Sequence, residues 1–145
     1  MRHLSRMRRM AALGIVALLV CPVLAGPPAR AAALRIVEIR SYNLKAGTRD
    51  RFHQRFVRDS LPMLGRWKVD VVAYGPSRHD GDSWFLMRAY ASLEDRQKSE
   101  DAFYGSDEWK QGPREATLAD IESYTTVVLE LDEETIRGLR RRPMP

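Results

Sequence analysis

The spacing of hydrophobic and polar positions changes rhythm several times along the chain. Residues 35–44 alternate with period two. Val37 and Ile39 fall on one face and Ile36, Glu38, Arg40 and Tyr42 on the other, as a β-strand requires. Ala46-Gly47 supplies a turn, and Thr48 is placed to cap a helix. The apolar spacing then becomes helical through Phe52, Phe56, Leu61 and Leu64. Pro62 has no N–H to donate and crowds the turn before it, so a kink or break is expected near Leu61. Val69 to Tyr74 reads as a second strand. A loop opens at Gly75-Pro76-Ser77 and runs through Asp80-Gly81-Asp82, and Trp84 to Tyr90 forms a third strand. On that strand Trp84, Leu86, Arg88 and Tyr90 share one face and Phe85, Met87 and Ala89 the other, so the pair reads as a hairpin. Ser92-Leu93-Glu94-Asp95 resembles a capping box with Asp95 at its fourth position, opening a helix to about Phe103. Gly105 interrupts it, Ser106 caps a piece carrying Trp109, and Pro113 suits the first turn of a third piece with Leu118 and Ile121 as its apolar positions. The β-branched run Thr125 to Leu131 is the last strand. Asp132 to Arg142 is a charged end with no core to join, expected to be a helical tail that frays.

The order strand, helix, strand, strand, helix, strand is that of an α+β, ferredoxin-like βαββαβ unit with a four-stranded antiparallel sheet in the order 4-1-3-2 and both helices on one face. The helices are expected over the Val37/Ile39 and Phe85/Met87/Ala89 face. The other face mixes Ile36, Glu38, Arg40 and Tyr42 with Trp84, Leu86, Arg88 and Tyr90. Such a face is hazardous in water, and two copies packed sheet to sheet would cover it. The charges would then lie inside, as an ion-pair network or as a pocket for a small ligand with a polar group.

The amino terminus has a different character. Arg2, Arg6, Arg8 and Arg9 precede an apolar run from Ala11 to Ala25. Fifteen helical residues would span roughly 22 Å, short of a ~30 Å hydrocarbon core, so residues 1–25 read as a cleavable export signal rather than an anchor. Cleavage fits after Val23-Leu24-Ala25, with Ala29-Arg30-Ala31 as a second possible site. Arg8-Arg9 leaves a twin-arginine route open beside the general one. Residues 26–33 read as a linker, 34–131 as the folded domain and 132–145 as the charged tail. The formal charge is +5, with 24 basic and 19 acidic residues. Five of the arginines lie within residues 1–31, and their removal leaves the chain neutral. A basic face for a nucleic-acid backbone is therefore not expected. Cys21 is the single cysteine. If the signal is removed, no disulfide, thiol nucleophile or zinc–thiolate site remains.

Several segments resemble one family. Val37-Glu38-Ile39-Arg40-Ser41-Tyr42-Asn43-Leu44-Lys45-Ala46-Gly47 resembles the opening strand and turn of NIPSNAP domains, as does the Leu61-Pro62 break. Leu86 to Arg96 is similar to the family's third strand and capped helix, and Ser106-Asp107-Glu108-Trp109 to its acidic Trp turn. The resemblance covers about Ile36 to Leu131. It implies the dimeric α/β-barrel group, in which two ferredoxin-like subunits pack their sheets face to face. It implies no agreed chemistry, because the NIPSNAP branch has no agreed catalytic motif.

The candidate pocket-lining residues are Glu38, Arg40, Tyr42, Tyr74, Trp84, Arg88 and Tyr90. Arg40 and Arg88 suit a carboxylate or phenolate, with Glu38 holding one guanidinium in place. Tyr42, Tyr74, Trp84 and Tyr90 suit an aromatic cavity or plain packing. His53, at the margin of the helical stripe, and His79, beside Asp80 and Asp82, are weaker candidates for a base or ligand. The spacing around His79 matches no metal loop, so neither a metal nor a cofactor is implied. Phosphate-cradling glycine loops, HExxH and nucleophile elbows are absent from the sequence. The expected partners are a second copy of the chain and a small molecule, with no nucleic acid and no stable membrane insertion after cleavage. Two readings compete: an exported binding or structural module, and a cofactor-free monooxygenase-like enzyme acting on an aromatic or phenolic compound.

Overall fold

The computed structural model describes residues 33–140. The export signal at 1–25, most of the linker at 26–33, and Arg141 and Arg142 of the tail lie outside the described residues. The elements run β1 (Leu34–Leu44), α1 (Arg49–Arg55), a π-helical turn (Phe56–Ser60), α2 (Leu61–Arg66), β2 (Asp70–Pro76), β3 (Ser83–Tyr90), α3 (Leu93–Gly105), α4 (Asp107–Gln111), α5 (Arg114–Asp120), β4 (Ile121–Asp132) and α6 (Glu133–Arg140). The sheet order is β2-β3-β1-β4, with every neighbouring pair antiparallel. This is the expected ferredoxin-like arrangement. β1 is central, and its register sets Glu38 opposite Arg88 and Tyr42 opposite Trp84.

The helices cover the opposite face from the one expected. Tyr42, Trp84 and Leu86 join Phe52, Phe56, Leu64, Phe103 and Trp109 in the larger core. The mixed charged and aromatic face is therefore buried within one subunit. The hydrophobic contrast between the two faces misleads here because the helices bring their own charged partners to the mixed face. Full burial of large side chains such as Trp84 contributes about 1.5–3 kcal/mol each.

The other face is covered at one end only. Ile136 of α6 is completely buried against Val37, Val72 and Ala89. The charged end thus does have a core to join, which corrects the expectation of a fraying tail. Arg140 fastens it, donating to Asp70 at 2.7 Å and to the Val71 carbonyl at 2.9 Å.

Pro62 does not break the first helical segment. The Leu61 N–H reaches five residues back to the Phe56 carbonyl. This wider turn accommodates a proline that can neither donate nor fit a regular turn. It leaves both Phe56 and Ser60 buried. Two predicted caps form: the Ser92 hydroxyl accepts from Asp95 N–H at 3.0 Å, and Ser106 from Trp109 N–H at 3.1 Å. Thr48 makes no cap bond, and its hydroxyl is buried without a partner. Ile121 opens β4 instead of continuing a helix, because the β-branched run pairs with the whole of β1.

Candidate functional site

Glu38 and Arg88 face each other across β1 and β3, and both are buried, at 0% and 1% exposure. The Arg88 guanidinium bonds Glu38 and, at 2.6 Å, Glu100 of α3. Arg40 reaches Glu100 at 3.2 Å and lies 3.2 Å from Glu38. Arg96 of α3 bonds Glu38 and lies 3.2 Å from Glu100. The Tyr104 hydroxyl accepts from both Arg40 and Arg88, each at 3.1 Å. Three guanidinium groups thus surround two carboxylates, leaving one positive charge in excess.

The carboxylates answer differently to this setting. Burial alone would raise Glu38, but the charge and hydrogen bond of Arg88 and the Arg40 charge hold it at about 2. Glu100 is raised, by burial and by the neighbouring Glu38 carboxylate. Burial also raises the phenols of Tyr42 and Tyr90, so both stay neutral near pH 7. The Nε groups of Arg40 and Arg88 and the Tyr90 hydroxyl are buried without partners among the described residues.

A cavity of about 350 Å³ opens beside this cluster, between the β1/β4 edge and α3, α4 and α5. Arg40 and Arg114 are its charged lining groups; Tyr42, Tyr104, Trp109 and Tyr124 are its aromatic ones. The Arg40 guanidinium lies 5.2 Å from the Tyr124 ring centre and 5.8 Å from that of Tyr104, within cation–π range. A smaller void of about 40 Å³ shares Tyr42, Tyr104, Trp109 and Thr117 with this cavity. It ends against Phe52, Phe56, Ser60 and Trp84. The site therefore has a cationic mouth, an aromatic throat and an apolar end whose polar exception is Ser60.

The NIPSNAP family model matches residues 37–131. The chain belongs to the NIPSNAP family. Among solved structures it is similar to a NIPSNAP family protein from Agrobacterium tumefaciens, with a TM-score of 0.66 at 17% identity, covering 75% of this chain and 96% of that one. An uncharacterized NIPSNAP-like domain protein from Burkholderia xenovorans aligns with a TM-score of 0.61 at 21% identity, covering 66% and 83%. A putative antibiotic biosynthesis monooxygenase from Nitrosomonas europaea aligns at 0.50 and 16%, covering 65% and 95%. At these identities the likeness shows the fold alone. No curated protein matches the chain.

Within this NIPSNAP fold, the predicted residues divide. Glu38, Arg40 and Arg88 come together, with Tyr42 and Trp84 lining the adjoining cavities. Tyr90 packs near Arg88, whose guanidinium lies 6.0 Å from its ring centre. Tyr74 packs on Phe56, with centroids 4.9 Å apart, and lines a separate groove along β2. His53 stands in that groove too, its Nδ1 accepting from the buried Trp84 indole at 3.3 Å. His79 is exposed, and neighbouring Asp80 spends its carboxylate on Ser83 and the Asp82 N–H, closing the hairpin loop.

The β2 groove is the larger depression, at about 570 Å³, but its arginines are already committed. Arg49 binds the Asp80 carbonyl and Arg140 binds Asp70. The cluster beside β1 keeps a charge in excess, which makes it the stronger site. Arg96, Glu100, Tyr104 and Arg114 were absent from the sequence-based candidates. The recurrence of Arg96, Glu100 and Tyr104 every four residues marks a polar face of α3 and is the signal that would have found three of them.

Proposed function

We propose that the protein is an exported NIPSNAP module that binds a small molecule inside each subunit, between the helices and the sheet, and works as a homodimer. The observation that carries this reading is a cavity with an arginine at its mouth and an aromatic interior, the composition of a small-ligand site. Dimerisation is supported by the half-covered sheet face. Beyond the reach of α6 that face presents Phe85, Val127 and Leu129, and Val127 and Leu129 are 48% and 39% exposed. Sheet-to-sheet packing through these residues would cover them. Export is supported by the arginine-led apolar run at residues 2–25.

The oxygenase-like alternative rests on the same aromatic lining, which would suit a phenolic substrate. Oxygen uptake in the presence of phenolic compounds distinguishes it from plain binding. Native mass spectrometry of the protein purified from its producing cells tests the main reading. The expected species is a dimer of chains lacking the first 25 residues and carrying a discrete additional mass. A monomer, or a chain still beginning at Met1, contradicts the corresponding part.

A further inference from the structure

Resting on this reading of the cavity, we infer that its ligand is an aromatic carboxylic acid, held carboxylate-first by Arg40 and Arg114 with its ring in the aromatic throat. The charge count decides the sign. The cavity lining holds two guanidinium groups and no carboxylate. The cluster behind it carries three guanidinium groups against Glu38 and Glu100. A cationic ligand would find aromatic walls but would face Arg40 and Arg114, so a quaternary-ammonium occupant is disfavoured. With Arg40 shared between lining and cluster, Arg40, Arg88, Arg96 and Arg114 outnumber Glu38 and Glu100 by two, so an anionic group is the occupant the charges favour.

The remaining features fix the orientation. Arg114 is exposed and forms no salt bridge among the described residues, so it is available at the rim. Arg40 is held in place by Glu100 and Tyr104, and its buried Nε has no partner. A preset guanidinium of this kind recognises a carboxylate with little ordering cost. Tyr42, Tyr104 and Trp109 then flank a flat body, and Thr117 adds one hydroxyl to the throat. Both the charged end and the apolar end have their own walls, as an amphipathic aromatic acid requires.

Calorimetric titration of the purified protein with 2-naphthoate, its uncharged amide and 2-methylnaphthalene tests the inference. The acid should bind at least about tenfold more tightly than the amide, the scale of a charge-assisted hydrogen bond. Arg114→Ala, which breaks no ion pair, should weaken the acid by about tenfold and leave the amide unchanged. Arg40→Ala should abolish the preference if that variant folds. Equal binding of acid and amide would overturn the anionic assignment while leaving the cavity reading standing. Acid binding indifferent to Arg114→Ala would also overturn it, by placing the carboxylate elsewhere. Failure of all three compounds to bind would overturn the cavity reading as well.

Discussion

Arg88 is the residue on which the buried cluster turns, because it is the most deeply buried of the three arginines and bonds Glu38, Glu100 and Tyr104. Replacing it removes the most deeply buried partner of Glu38 and Glu100 and leaves both carboxylates to Arg40 and Arg96 alone. Arg88→Met should therefore cost about 3–5 kcal/mol in urea unfolding, the scale for breaking a buried pair. A near-neutral result would mean that Arg40 and Arg96 suffice. The two carboxylates predict opposite pH effects. Glu38, held at about 2 against its ordinary 4.5, contributes stability that is present above pH 4.5 and lost as pH falls toward 2. Glu100 is raised, so it opposes stability as pH climbs from 4.5 through its folded value. The urea midpoint of Glu38→Gln should accordingly be lower than wild type at pH 7 and flatter between pH 4.5 and 2. Glu100→Gln should keep the acid-side fall.

At the level of elements, the predicted strands and their order match the sheet, because apolar, strand-forming runs bounded by turn residues mark all four. Which face the helices cover was not legible. The hydrophobicity of each face taken alone points the wrong way, because the choice of face rests on what α3 brings to it. α3 buries Phe103 while turning Arg96 and Glu100 inward, so it shows no apolar stripe along its length. Glu38, Arg40 and Arg88 were legible as a set because charged residues sit at core-alternation positions. Their partners on α3 were not, because nothing local ties residue 38 to residue 100. Pro62 was legible as an irregularity, but not as a π turn that keeps the segment helical. α6 is hard to read in the sequence because a short, charged segment hides its one fully buried anchor, Ile136. That anchor makes a sharp prediction: Ile136→Ala should cost about 2–5 kcal/mol by chemical denaturation. A change below about 0.5 kcal/mol, typical of surface substitutions, would show that the helix does not hold the sheet.

For the whole molecule, the two faces of the sheet divide the work. One face, under the helices, carries the charged cluster and the cavity. The other is closed at one end by α6 and left apolar at the β4 edge, where a second copy is proposed to pack. Val127→Glu should then convert the dimer to a monomer in sedimentation, since a charge on that face would be buried without a partner. An unchanged dimer would move the interface elsewhere. Because the cavity lies on the opposite face, the same variant should still bind 2-naphthoate.

A small molecule is proposed to enter between the helices and the sheet beside Arg40. This entry is tested most directly by following the amide NMR spectrum of the labelled protein during titration with 2-naphthoate. Saturable shifts should concentrate at Arg40, Tyr42, Tyr104, Trp109, Thr117 and Tyr124. Shifts confined to Arg49, His53 and Gln54 in the β2 groove, or none at millimolar ligand, would contradict it.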